Sequence, residues 1–480
     1  YVLPGETLFG HMRGAYTEEE LRDIDAYAAK LGIEMIGCIQ TLGHMEQVLK
    51  WPSYKETKDT GSVLLCGSEK TYELIERMVS HFKKVFRSNR IHIGMDEAWD
   101  LGRGNFLDIN GYQRNFDIFN NHLKKVVEIV NKHELQPMIW SDMYFRMGSE
   151  SNNYYDENCN IPDEISKDIP EEVSFVYWDY YHEEKDFYSE WIRRHKELGK
   201  MPVMASGVWT WAGPWYWHLK TTKTALPCIE SCEKSGVREL IFTMWGDDGG
   251  YCDFDSATAG LAMTAERAFN SSINESVLKK RFNRLFNSDF DTITLASEMN
   301  NGLNPAAIIW DDPILGLYLD TIDNDSLEQA IETFTELNGK LADRDIPDGA
   351  GSISHAFFLT RSILEKITLQ QAMLEAYRNK DKEKLKELAA HIFQMEEHMA
   401  ELEESFRRQW MKRNKPFGFE SLQIRLSGCK IRLHETARRI NEYIDGKNNA
   451  IPELDERLSK DISKIRGKRY YQLATASSIL

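Results

Sequence analysis

The chain has 480 residues, 42% hydrophobic and 28% charged, with a formal net charge of −17. That length exceeds one ordinary core and predicts two domains, and no apolar run is long enough to cross a bilayer. The acidic balance speaks against a nucleic-acid partner, whose phosphates need clustered Lys and Arg.

From residue 17 to about 268, helical and extended patterns alternate. TEEELRDIDAYAAKLG (17–32) opens with a Thr cap and an acidic first turn, then shows apolar residues at helical spacing. IEMIGCIQTLGH (33–44) reads as a strand, 69–86 as a helix, and RIHIGM (90–95) as a strand. A helix over 112–133 leads to an extended run over 136–145, followed by a strand at 173–181 and a helix at 184–199. Strands at 201–211 and 239–248 flank a helix near 221–235, and a helix near 256–269 closes this half. Apolar strands separated by helices indicate a parallel sheet covered by helices, and a long series of them predicts a (β/α)8 TIM barrel. Only six strands are legible, so either the sheet is open or, the favoured reading, the barrel lacks its first one or two strands and the sequence, which starts at Tyr1 without an initiating Met, is a fragment. The expected domains are a catalytic barrel at 1–268 and an α-helical domain at 269–480.

The second half carries long amphipathic patterns at 275–287, 325–342, 354–379, 381–409, 417–446 and 453–465, with IPDGAGSIS (346–354) as a loop. Helix-bundle packing accounts for it; a partner-binding or homodimer role is the functional alternative. Seven scattered cysteines contain no CxxC, and the spacing of Cys228 and Cys232 suits a helix face and no common zinc pattern. Reduced thiols and a cytoplasmic compartment are expected, with no cofactor and no resident metal.

Ligands of parallel α/β barrels bind at the carboxyl ends of the strands. Here those ends present Gln40 to His44, then Asp96 and Glu97, Trp140 and Asp142, Tyr177 to Asp179, Trp209 and Trp211, and finally Trp245, Asp247 and Asp248. Eight of the twelve Trp residues fall between Trp140 and Trp245, so the aromatic enrichment tracks the strand ends. Rings that cover C–H faces, with carboxylates that accept hydroxyl hydrogens, suit a sugar. Glycosidases usually place an acid and a second carboxylate at the scissile bond. The strand ending GVWTWAGPW offers no acid, whereas Asp96 and Glu97 are adjacent. A 2-acetamido sugar resolves this: its own carbonyl oxygen can attack the anomeric carbon, leaving the protein to supply one proton carrier and one neighbour that orients the amide.

At these positions the chain resembles glycoside hydrolase family 20, the β-N-acetylhexosaminidases. The resemblance is carried by the HxGxDE pattern at His92, Gly94, Asp96 and Glu97. Gly43–His44 resembles the family's PGH turn, with Leu42 in place of Pro; Tyr177-Trp178-Asp179 and Trp245-Gly246-Asp247 match two further elements. It covers about residues 1–268, and the helical half looks like a bacterial cytoplasmic subgroup. The resemblance implies Glu97 as general acid/base and Asp96 as the group that binds the acetamido N–H. It implies Tyr177 as donor to the acetamido oxygen, and Trp140, Trp209 and Trp245 as walls. Asp179 and Asp247 are then expected to hold hydroxyls, and His44 to lie near the acid. The implied substrates are N-acetylhexosamine-terminated glycans or chitooligosaccharides. The family's sugar-binding Arg has no match, and Arg13 is a poor substitute by position.

Bland readings stand beside these. Asp142 and Asp248 are expected helix caps if not site residues, and His92 a satisfied barrel histidine. Trp211, Trp215 and Trp217 either line an outer subsite or pack a loop. The alternative functions are a non-catalytic amino-sugar-binding protein and a metal-dependent barrel hydrolase using His44, His92, Asp96 and Asp142.

Overall fold

The structure, a computed structural model, describes residues 1–342 and 349–456. The start of the expected 346–354 loop, and the part of the expected last helix beyond 456, lie outside the described residues. Of residue 248 only the backbone is described.

Six strands are present among the described residues: β1 (Gly37–Cys38), β2 (Arg90–His92), β3 (Gln136–Trp140), β4 (Ser174–Trp178), β5 (Val203–Gly207) and β6 (Leu240–Thr243). They form one sheet in the order β1-β2-β3-β4-β5-β6, and the pairs from β1 to β5 are parallel. Strict sequential order with helical crossovers is the winding of a (β/α) barrel; a doubly wound sheet would reverse its order at a switch point. The chain gathers into two compact units, one of residues 1–206 and 227–241, the other of 207–226 and the residues from 242 onward.

In the first unit the crossover helices are α1 (Glu18–Lys30), α2 (Glu69–Val85), α3 (Asn115–Lys132) and α5 (Lys185–Glu197), with the short α4 (Asp142–Gly148) directly after β3. The start of α1 is fixed reciprocally: Thr17 Oγ1 accepts from the Glu20 N–H at 3.2 Å, and Glu20 Oε2 accepts from the Thr17 N–H at 2.7 Å. Leu74, Ile75, Met78 and Val79 of α2, and Phe119, Leu123, Val126 and Val130 of α3, recur at helical spacing and are buried. Ile91, Ile139, Phe175 and Val176 of the strands are buried as well.

The strands are shorter than the apolar runs that predict them. The 90–95 run stops at His92 because Gly94 and Met95 take positive φ, 71° and 74°, which a ladder cannot continue. The 136–145 run stops at Trp140 and the chain turns into α4. This change of period places Asp142 and Arg146 one turn apart on the same helix face.

The second unit is helical beyond β6. Its long elements are α6 (Thr258–Phe269), α7 (Glu275–Phe286), α8 (Asn324–Ala342), α9 (Ile353–Arg378), α10 (Lys382–Arg413) and α11 (Phe419–Ile444). Phe334, Leu359, Ile363, Met373, Ile392, Leu402, Leu426 and Ile440 fill a shared core. Side-chain caps start α7, α9 and α10: Asn274, Ser352 and Asp381 accept from the N–H groups of Val277, His355 and Lys384.

Candidate active site

The loop after β2 holds the two acids in different surroundings. Asp96 is 14% exposed and Glu97 32%. Gln40, just past β1, donates from Nε2 to Asp96 Oδ1 at 2.9 Å, while its Oε1 accepts from the Met95 N–H at 3.3 Å. One glutamine side chain therefore ties down both the acid and the turn before it. Gly94 leaves room for this: a Cβ there would lie 2.0 Å from Gln40 Oε1.

His44 approaches from the β1 end. Its Nε2 lies 3.2 Å from Asp96 Oδ2 and 3.7 Å from Glu97 Oε2. The hydrogen bond to Asp96 outweighs burial and, with the Asp96 and Glu97 charges, raises the His44 pKa to about 9, so the imidazole is cationic at neutral pH. Burial alone would push Asp96 up. Hydrogen bonds from His44 and Gln40, with the His44 charge, override it and hold this carboxyl below its usual range. Gly43 permits the approach, since a Cβ there would stand 2.5 Å from the Asp96 carbonyl oxygen.

Glu97 sits in the left-handed region, φ 47°, an uncommon conformation for a residue of this kind. Its N–H donates to Asp142 Oδ2 at 3.2 Å, and its Oε1 accepts from Arg146 Nη2 at 3.1 Å. Asp142 is no helix cap: its Oδ2 also accepts from Arg146 Nε at 2.9 Å, and it makes no capping bond at the start of α4. Burial, then the neighbouring Asp96 charge, push Asp142 up to about 7 against the pull of Arg146. Arg146 was missed in the sequence because it falls just past the run read as extended (136–145), with no helix expected there; the Asp-x-x-x-Arg spacing was the signal for it.

His92 is half satisfied rather than fully so. Its Nδ1 accepts from the Gly94 N–H at 3.1 Å, but its buried Nε2 has no hydrogen-bond partner. Burial lowers its pKa to about 4, so the ring is neutral. The ring lies 4.4 Å from that of Trp140, which is itself buried. Tyr177 and Asp179 are joined to each other: the Tyr177 hydroxyl donates to Asp179 Oδ2 at 3.0 Å. His182 Nδ1 meets the same oxygen at 2.8 Å, and Oδ1 accepts from the N–H groups of Tyr181 and His182. Asp179 is fully buried.

Trp209, Trp245 and Asp247 belong to the second unit. Trp209 is buried and stacks on Trp211 with centroids 4.4 Å apart, while Trp245 and Asp247 are exposed. Trp215 is a core residue whose Nε1 donates to the Ile293 carbonyl, and Trp217 Nε1 donates to Asn301 Oδ1 at 2.8 Å. No group of three or more His, Cys, Asp or Glu side chains is arranged to hold a metal among the described residues. No helix among them is long and apolar enough to cross a membrane.

A parallel β/α sheet in sequential strand order, with paired acids after a strand end, is the layout of a β/α barrel, whose ligands bind at the carboxyl ends of the strands. The family model for the glycosyl hydrolase family 20 catalytic domain matches residues 6–185, and that for the Glycoside Hydrolase 20C C-terminal domain matches 285–465. The chain belongs to glycoside hydrolase family 20. It is 25% identical over 177 residues to human Hexosaminidase D, an alignment covering 35% of this chain and 34% of that protein. It is 33% identical over 99 residues to a Beta-hexosaminidase of Vibrio furnissii, covering 18% and 16%. The chain thus spans about a third or less of the curated relatives it matches. A solved β-N-acetylhexosaminidase aligns with TM-score 0.44 and 14% identity over 60% of this chain and 68% of that one. The family 20 enzyme of Streptomyces coelicolor A3(2) aligns with TM-score 0.29 and 17% identity, over 41% and 36%.

Proposed function

We propose that the chain is an exo-acting β-N-acetylhexosaminidase that removes terminal β-linked N-acetylglucosamine or N-acetylgalactosamine with retention, using the substrate's acetamido group as nucleophile. The observation that carries this is the unequal adjacent pair: Asp96 the less exposed and favoured as the anion by its bonds from His44 and Gln40, Glu97 more open beside it.

In this reading Asp96 accepts from the acetamido N–H and stabilises the positive charge that grows as the carbonyl oxygen attacks C1. Glu97 gives its proton to the glycosidic oxygen while the bond from C1 to that oxygen breaks. Water then forms a new bond to C1, the C1–O bond of the cyclised intermediate breaks, and the water proton passes to Glu97. Trp140 walls the sugar. The Tyr177 hydroxyl turns from Asp179 to the acetamido oxygen, and Asp179 keeps the three donors supplied by His182 and Tyr181. The names of the family 20 relatives, hexosaminidases, support the substrate class.

The test is inhibition by a thiazoline mimic of the cyclised intermediate. Strong competitive inhibition is expected; trapping of a covalent glycosyl-enzyme in its place contradicts the mechanism.

A further inference from the structure

Arg146, after β3 in the first unit, is engaged on every side. It is 9% exposed at the side chain and spends each guanidinium nitrogen on a partner: Nε on Asp142, Nη2 on Glu97, and Nη1 on the Asn152 carbonyl at 3.3 Å. Its guanidinium carbon lies 3.9 Å from the centroid of the Trp99 ring, with the Tyr154 and Trp178 rings each at 5.8 Å. Trp99, two residues beyond Glu97, is 59% exposed. A large indole left in water is explained here by the cation stacked against it, an arrangement that also fixes the plane of the guanidinium.

A proton donor gains nothing from a guanidinium on its carboxylate, because that contact favours the ionised form. Under the reaction proposed above, however, Glu97 acts twice, first as acid and then as base toward water. The Arg146 contact serves the second role. We propose that Arg146 is the positioning residue of Glu97: clamped between Asp142 and Trp99, it fixes the carboxylate's orientation and favours the anion that takes the proton from water. Charged groups that meet Glu97 include Arg146 and His44, with Asp142 on its N–H, and Asp96 precedes it in the chain. His44 divides its contact between two acids, and of these two cations Arg146 approaches Glu97 more closely, 3.1 Å against 3.7 Å.

This inference rests on the proposed function, and two readouts separate their failures. The first is independent of turnover: the 13C carboxyl titration of Glu97 in 13C-glutamate-labelled protein, assigned by loss of the signal in Glu97→Gln. In Arg146→Met the midpoint is expected to rise by about one pH unit. The second is kinetic, on an aryl N-acetyl-β-hexosaminide with a good leaving group, which makes the water step limiting. There kcat is expected to fall at least tenfold; on a poor leaving group, whose departure needs the Glu97 proton, the alkaline limb of kcat/KM is expected to move up by the same unit, with most of both restored in Arg146→Lys. Trp99→Ala, at an exposed position that leaves the core intact, is expected to move the titration in the same direction by a smaller amount. An unchanged Glu97 midpoint in both variants, or a loss of kcat equal at every pH, overturns the proposal. A wild-type enzyme without hexosaminidase activity refutes the proposed function and leaves the titration to decide the role of Arg146.

Discussion

His44 Nε2 stands 3.2 Å from Asp96 Oδ2, and this contact reverses the effect that burial would have on both groups. Its consequence for stability has a definite sign. The His44 pKa is raised in the folded chain to about 9, so its contribution is complete below the ordinary histidine value of about 6.5 and vanishes as pH climbs through 9. Thermal melting of wild type and His44→Ala should therefore differ at pH 6 and converge near pH 10. The Asp96 contribution runs the other way. Its folded pKa is depressed, so its share is present above about pH 3.9 and is lost as the pH falls through the depressed value.

The two acids should fail differently when neutralised. Glu97→Gln removes the proton carrier and is expected to cost ~10²–10⁴ in kcat on a poor leaving group. On an activated leaving group, which departs without a proton, the loss in kcat/KM should shrink, whereas kcat, limited there by the water step that Glu97 also serves, stays low. Asp96→Asn removes charge stabilisation from every substrate alike and is expected to cost ~10²–10³. Parallel kinetics on the two leaving groups check the contrast.

Gly43 is expected to tolerate no side chain. A Cβ there meets the Asp96 carbonyl oxygen at 2.5 Å, and backbone cannot swing away as a long side chain can. Gly43→Ala should lower the melting temperature and displace Asp96 from His44, which kcat and the pH dependence of melting report together. A variant with wild-type activity would contradict the close approach.

Asp179 is fully buried and serves four donors. Asp179→Ala strands the Tyr177 hydroxyl and the donors of the turn, at a cost on the order of 3 kcal/mol. Denaturant unfolding measures it, and a change under 0.5 kcal/mol would show that the network is dispensable.

Much of this could be read before the structure. The run into Asp96 and Glu97 was legible because an apolar strand that ends in adjacent acids is an unusual pattern. Tyr177 and Asp179 lie two apart, the period at which strand side chains share a face, and they do meet. Arg146 was hidden by the opposite circumstance. QPMIWSDMYF is apolar enough to read as one extended run, yet the chain leaves the sheet after Trp140, and only the resulting helix brings Arg146 over Asp142. The strand lengths were overestimated for a related reason: hydrophobicity marks what is buried, whereas positive φ at Gly94 and Met95 decides where the ladder stops. Trp99 carried no periodic signal, because its partner is a cation 47 positions away.

The central claim is that the substrate's acetamido group does the work of the nucleophile. The direct measurement is nitrophenol release from 4-nitrophenyl N-acetyl-β-glucosaminide and N-acetyl-β-galactosaminide, set against the plain β-glucoside, with one enzyme preparation. Hydrolysis of at least one N-acetyl substrate with no release from the plain glucoside is the predicted result; equal rates on the glucoside, which has no acetamido group, would contradict it.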